Sequence, residues 1–376
     1  MRRTIITLLF LAALPHTFAN KYIAINGIIL SGKDSTPVSY VNIGIAEKSI
    51  GTISNEAGEF LFNIPIDLIN DSIYFSSIGF SNFSVPIKYL NSENNIVFLK
   101  PKSYSLNEVI ISQENLTALE IITLSKKHFE RNLTRTPSLY ESYYQEYIKH
   151  GNRSTRALDA AVEIYRKNFH RSFQVKIIQI RKKDDLPSGK YYLNGNNLNL
   201  ALELNDLNKL FQGYKNYRYS VDSIMVYDNS TAYVIKAVPL KNRSSYKTFF
   251  IATNDFSLIR ADKTTNNTKG NKIKINGNGY VTINRIFTSI NFFKYCKEMH
   301  PKVMQIIVTT TKLDDKNEKL TTQRKAELIT VAIQKESITE IPEKERMNDP
   351  DEMFKQQVSF DLNFWKNYNA VPLNPE

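Results

Sequence analysis

The sequence is poor in the residues that usually announce chemistry. It holds one cysteine, Cys296, in 376 residues. One thiol builds neither an intramolecular disulfide nor a cysteine-rich zinc site, so both are excluded. Phe292, Phe293 and Tyr295 surround it with strand-forming aromatics, and we expect Cys296 to be a small core residue in that strand. Histidine is scarce too: His16, His128, His150, His170 and His300. Three positions after them stand Ala19, Arg131, Arg153, Phe173 and Val303, so no His-x-x-Glu pair exists to seat a catalytic zinc. A His-Glu-x-x-His helix, a Gly-x-Ser-x-Gly elbow and a phosphate loop ending in Gly-Lys-Ser/Thr are also missing. The adjacent pairs Asp184-Asp185 and Asp314-Asp315 read as solvated turns. Glu56 and Glu59 flank a hairpin turn with nothing beside them to perturb a carboxylate. We therefore expect no enzyme, no cofactor and no metal.

Long apolar runs are missing as well. The longest, from Ile5 to Leu14, falls short of the roughly 20 residues that span a bilayer. It follows Arg2-Arg3 and precedes Thr17-Phe-Ala19, which sets small residues at the −3 and −1 positions before Asn20. A charged segment, a short apolar segment and a small-residue cleavage site make a secretory leader, expected over residues 1–19. No cysteine follows the cleavage point to take a lipid anchor, so export to the periplasm or the outer membrane is the expected location. Near-absence of cysteine suits a chain that crosses an oxidising compartment without a disulfide scaffold.

What the chain does hold is β-formers. Tyrosine and phenylalanine number 21 each against one tryptophan, with 42% hydrophobic and 23% charged residues, the balance of an ordinary folded protein. Short alternating segments fill residues 20–100: Tyr22–Leu30, Tyr40–Ile45, Gly51–Ile53, Glu59–Ile64, Ser72–Ser77, Phe83–Ile87 and Asn95–Leu99. Turn clusters separate them, and Gly58 in Asn55-Glu-Ala-Gly58 is suited to a positive φ. Seven such strands predict an antiparallel sandwich.

Four stretches in this order resemble the carboxypeptidase-like regulatory domain of Bacteroidota-type envelope proteins. They are Pro37-Val-Ser-Tyr-Val41-Asn-Ile-Gly44, Gly51 to Phe60, Ile73 to Phe80, and Leu106-Asn-Glu-Val-Ile-Ile111. The resemblance implies a transthyretin-like β-sandwich that is the accessory module without the peptidase. Some family members continue into a TonB-dependent receptor. Such a receptor needs a plug and a 22-stranded barrel, and the remaining residues cannot encode both.

Residues 101–115 read as a polar connector, and 116–376 as a β-rich domain with an N-terminal helix. Ala118, Ile121, Ile122 and Phe129 recur at helical spacing, and Leu198–Phe211 is a second candidate helix. Between and after them lie further alternating segments. The clearest hairpin runs from Tyr246 to Asp262 around Thr253-Asn-Asp255. The expectation is an α+β unit: a long antiparallel sheet with one or two helices laid on it, and a C-terminus anchored through Phe364 and Trp365. The hairpin faintly resembles the wrapped half-barrels of periplasmic lipoprotein carriers.

Charge is sorted along the chain. The formal net charge is +12. From Asn20 to Ser105 six basic side chains face seven acidic ones, whereas from Lys241 to Tyr280 eight face two. Lys241, Arg243, Lys247, Lys263, Lys269, Lys272 and Lys274 are therefore the candidate contacts to an anionic surface. With a secretory leader, nucleic acid is excluded as partner; an envelope protein, an anionic lipid or an acidic glycan remain. The function expected is a non-enzymatic binding or assembly role in the cell envelope. The alternatives are a glycan- or peptide-acting enzyme hidden in the C-terminal half, or a periplasmic lipid carrier. Oligomeric state is not legible.

Overall fold

The computed structural model describes residues 22–369, except 47, 49, 105–115, 134–135, 151–152, 169–172, 185–207, 228–229, 242–243, 268–271, 275–279, 314–318, 348–352, 354–355 and 357. The leader, most of the connector and residues 198–207 of the second candidate helix lie outside the described residues.

Seven strands build the N-terminal unit: β1 (Tyr22–Ser31), β2 (Asn42–Ile45), β3 (Gly51–Ile53), β4 (Glu59–Pro65), β5 (Ser72–Ser76), β6 (Phe83–Pro86) and β7 (Asn95–Leu99). They form two sheets, β4-β1-β7 and β3-β2-β5-β6. Period-two alternation decides which side chains meet between them. In β7, Asn95, Val97 and Leu99 are buried while Ile96 and Phe98 are exposed. Ile25, Ile29, Phe60, Phe62, Ile73 and Phe75 complete the core. One pairing departs from an all-antiparallel sandwich: β1 and β7 run parallel, with Ile28 opposite Ile96. Gly58 has φ +77, and a Cβ there would lie 2.6 Å from the carbonyl oxygen of Ile29. The turn into β4 is therefore a glycine position.

The described strands of the rest of the chain form one antiparallel sheet. Its strands are β8 (Ser103–Tyr104), β9 (Ser138–His150), β10 (Arg153–Arg166), β11 (Phe173–Asp184), β12 (Tyr217–Tyr227), β13 (Ser230–Pro239), β14 (Ser245–Ala252), β15 (Leu258–Asn266), β16 (Lys272–Lys274), β17 (Tyr280–Tyr295), β18 (Glu298–Leu313) and β19 (Lys319–Gln334). The order is β11-β10-β9-β19-β18-β17-β15-β14-β13-β12-β8, with β16 beside β17. Chain neighbours are mostly sheet neighbours, the meander that short turns favour. The protein is mainly β, as its composition predicts.

Helix α1 (Ala118–Asn132) starts with a capping box. Thr117 Oγ1 accepts from the Glu120 amide at 3.3 Å, and Glu120 Oε2 accepts from the Thr117 amide at 2.7 Å. Its apolar stripe, Ile121, Ile122 and Phe129, is buried on the sheet. Each such side chain contributes roughly 1.5–3 kcal/mol relative to exposure. The helix touches both β12 and β18, which are separated by four strands in the sheet, so it lies across the strands. Phe129 meets Phe292 edge-on, with centroids 5.2 Å apart. It also meets Phe211 of a helical turn, α2 (Asn208–Phe211), which in turn stacks on Phe249. The helix-bearing face is thus filled by aromatic packing. Among the described residues no helix is long and apolar enough to cross a membrane.

Cys296 corrects our expectation. It is exposed and sits with Lys297 at the tip between β17 and β18, with φ +50 and +65. Two positive φ values make the tight hairpin whose twist matches its strands. Neither residue is the glycine or asparagine that usually marks such a turn, which is why the sequence reads as one aromatic strand there.

Candidate functional site

The N-terminal sandwich sits on the outer face of the large sheet, opposite α1. Successive side chains of a strand point to opposite faces, so Tyr144 packs inward with the helix core while Tyr143 packs outward. Ile53 of β3 joins Tyr143, Ala161, Val303, Ile329 and Val331 in a second cluster on that outer face. The edge of the sheet reaches across as well. Tyr104 of β8 pairs with Ile224, and the Gly79 amide donates to the Val226 carbonyl at 2.8 Å. A short helix, α3 (Leu362–Asn367), returns to the same seam. There Trp365 is buried against Tyr143 and stacks under the Arg181 guanidinium, 4.4 Å away. Asn369 then clasps Asn63 of β4, accepting from its amide at 2.5 Å and donating to its carbonyl at 3.2 Å.

A row of polar groups fastens the seam. Gln145, Glu327 and Gln305 stand opposite one another on β9, β19 and β18. Both glutamines donate to the Glu327 carboxylate, Gln305 at 2.7 Å. Lys325, two positions back and hence on the same face, lies 3.1 Å from Glu327. Its ammonium donates to Glu56 of the sandwich at 2.9 Å and to the Tyr40 hydroxyl at 2.6 Å. Lys325 and Glu327 are 2% and 1% exposed. Burial, and next the Glu327 charge, push the Tyr40 phenol far above its ordinary value, so it stays a neutral partner. Glu56, set aside in the sequence as a turn residue, is here the sandwich's charged contact with the sheet.

Beside this row the two units part and leave a groove. One cleft of about 580 Å³ runs past Asp34, Thr36, Tyr40 and Arg260. A second, of about 650 Å³, runs between Ile43, Ile45, Ile50 and Tyr74 of the sandwich and Ile259, Val331 and Lys302 of the sheet. Asn42, Tyr227 and Ile259 line both, so the clefts adjoin. These volumes suit a small ligand.

Two β-bulges shape the floor of the larger cleft. Asn291 pairs with Val303 and Phe292 with Pro301, which leaves Lys302 as the extra residue of β18. Thr330 pairs with Ser142 and Ala332 with Glu141, which leaves Val331 extra on β19. A bulge re-aims a side chain that regular pleating would send elsewhere. Lys302 is 8% exposed; its ammonium donates to the Thr330 carbonyl at 2.9 Å and lies 5.4 Å from the Phe293 ring. Burial pulls it down to about 8. Nothing in the sequence marks Lys302, because a bulge is a property of pairing. Lys325 and Glu327 leave a faint trace, two opposite charges at i and i+2 where the strand passes from its polar first half, Lys319–Arg324, into the apolar run Leu328–Ile333.

The basic residues singled out by composition differ in exposure, and two of them, Lys247 and Lys263, stand opposite each other on β14 and β15. Lys241 and Lys263 are exposed. Lys272 and Lys274 lie on β16, opposite Thr282 and Tyr280 of β17. Arg243 and Lys269 lie outside the described residues. Lys247 departs from the expected surface position. It is buried, donates to the Leu210 carbonyl at 2.8 Å and sits 4.9 Å from the Tyr217 ring. Burial, and then Lys263, lower it to about 8. Among the described residues no three His, Cys, Asp or Glu side chains are placed to hold a metal ion. His300 is fully buried, shares a 3.0 Å hydrogen bond with Tyr140, and is held neutral by burial at about 4.

No curated protein sequence matches the chain. Among solved structures, a LolA superfamily protein from Nitrosomonas europaea is 11% identical. The likeness covers 61% of this chain and 96% of that one, with a TM-score of 0.27. A DUF1329 family protein from Desulfovibrio piger is 10% identical over 59% of this chain and 95% of that one, with a TM-score of 0.26. Residues 25–111 match the family model of the CarboxypepD_reg-like domain, so the likeness falls on the sandwich.

Proposed function

We propose that this chain is an exported, non-catalytic protein of the cell envelope that binds an apolar or amphipathic ligand in the groove between its sandwich and its large sheet. The observation that carries this reading is the larger cleft, apolar along Ile45, Ile50, Ile259 and Val331 and shaped by two bulges. A seam whose only task was to hold two units together would pack shut, as it does around Ile53 and Trp365. Export rests on the leader over residues 1–19, and the mature chain then begins at Asn20.

Gly44 gives a clean test. It lines the cleft, and a Cβ added there meets nothing closer than the Ile50 carbonyl oxygen at 3.6 Å, an ordinary contact. Gly44→Leu therefore fills the groove without displacing backbone. The mature protein is expected to bind an uncharged apolar dye such as Nile red, and Gly44→Leu to weaken that binding at least fivefold. Unchanged binding by a folded Gly44→Leu variant refutes the groove as the site.

A second reading, a lipid carrier that uses the face under α1, is favoured by one observation: α1 lies across that face from β12 to β18. Because Ile122 and Phe129 are fully packed there, a ligand enters only if α1 moves. Dye binding that survives Gly44→Leu but is lost when α1 is cross-linked to the sheet selects this reading. We also infer that the basic region around Lys241 and Lys263 meets an anionic envelope surface.

A further inference from the structure

We propose that the larger cleft takes a long-chain carboxylate, with its head group on the Lys302 ammonium and its hydrocarbon along Ile45, Ile50 and Val331. This rests on the groove reading above and names its ligand class. Lys302 is a buried cation with three N–H donors and one described acceptor, the Thr330 carbonyl. No carboxylate among the described residues makes a salt bridge with it. Asp255, the acidic residue among those lining the cleft, instead lies 3.7 Å from Lys294. The lining thus carries Lys48, Lys294 and Lys302 against Asp255 alone. A buried charge left without a counter-charge is costly, and a fold keeps one where a ligand supplies it.

The charge selects the head group. The one buried ammonium lacks one negative charge, and a carboxylate supplies it. A neutral alcohol leaves the cation as it was. The bulge places Lys302 beside Val331, the extra residue of the neighbouring strand, so cation and apolar floor are adjacent. With the ammonium held at about 8, it is charged at neutral pH, and carboxylate binding declines as pH rises above that value.

The experiment is calorimetric titration of the mature protein with oleate below its micellar concentration, with oleyl alcohol, and with acetate. Oleate is expected to bind at least tenfold more tightly than oleyl alcohol, and acetate to give no signal. Lys302→Met is expected to weaken oleate at least tenfold and leave oleyl alcohol unchanged; Lys302→Arg, which keeps the charge, retains most of the oleate affinity. Circular dichroism and thermal melting confirm that the variants are folded. Equal oleate affinity in wild type and Lys302→Met, or equal affinity of wild type for the acid and the alcohol, overturns the assignment. If Gly44→Leu blocks both ligands while Lys302→Met changes neither, only the head-group assignment falls. If Gly44→Leu blocks neither, the groove itself is refuted.

Discussion

Replacing Lys325 by methionine tests whether the polar row across β9, β19 and β18 fastens the sandwich to the sheet. Methionine keeps most of the length of lysine and removes the ammonium. Three contacts disappear: Glu327 at 3.1 Å, Glu56 at 2.9 Å and the Tyr40 hydroxyl at 2.6 Å. The loss is asymmetric. Glu56 is exposed and returns to water, so it forfeits little. Glu327 is 1% exposed and stays behind as a buried carboxylate, solvated by Gln145, Gln305 and the Tyr40 hydroxyl. Breaking a buried pair from one side costs about 3–5 kcal/mol, and these donors place this case near the lower end. About 3 kcal/mol is a change of roughly two decades in the folding equilibrium. Equilibrium urea unfolding, followed by Trp365 fluorescence, reads it as a lower midpoint with little change of slope. Removing the stranded charge as well, in Lys325→Met/Glu327→Leu, is expected to recover at least half of the loss, because an apolar pair leaves no unsolvated ion. A single variant within 1 kcal/mol of wild type, or a double variant no better than the single, refutes the account.

The remaining predictions concern separate parts of the molecule. Gly58→Val forces a β-branched residue to φ +77 with its Cβ 2.6 Å from the Ile29 carbonyl oxygen; it is expected to cost at least 1–3 kcal/mol in urea unfolding. A value near zero would remove the conformational argument. Lys247 titrates at about 8 when folded and near the ordinary lysine value when unfolded. Between those limits the unfolded chain binds more protons, so the contribution of Lys247 to stability rises with pH across that window and is flat below it. Lys247→Met should therefore show a shallower rise of stability from about pH 8 upward than wild type, and identical slopes would refute the burial of the charge. Lys241→Glu/Lys263→Glu is expected to weaken sedimentation with anionic vesicles at low salt, where the Debye length is ~10 Å or more, and to matter little near 1 M salt. Binding that is insensitive to both would return these lysines to a solvated surface.

Local chemistry was readable wherever a segment decides its own structure. The seven strands of the sandwich, the turn at Gly58, the apolar stripe of α1 and the hairpin around Thr253–Asp255 all follow from side-chain period, φ preference and turn residues within a few positions. These are short-range effects, and a strand's alternation carries them even before its partner is known. The β17–β18 turn was hidden because Cys296 and Lys297 adopt positive φ without the residues that usually advertise it. The seam and its groove belong to a different scale. Lys302 and Val331 are extra residues only relative to the strands they face. Glu327 meets Gln145 and Gln305 only through register, and Lys325 reaches Glu56 across 269 positions of chain. Lysine at any of these positions reads in the sequence as a solvated charge. What removes the water around Lys302, Lys325 and Lys247 is the packing of distant elements, and without that burial none of the three is distinguishable from its exposed counterparts.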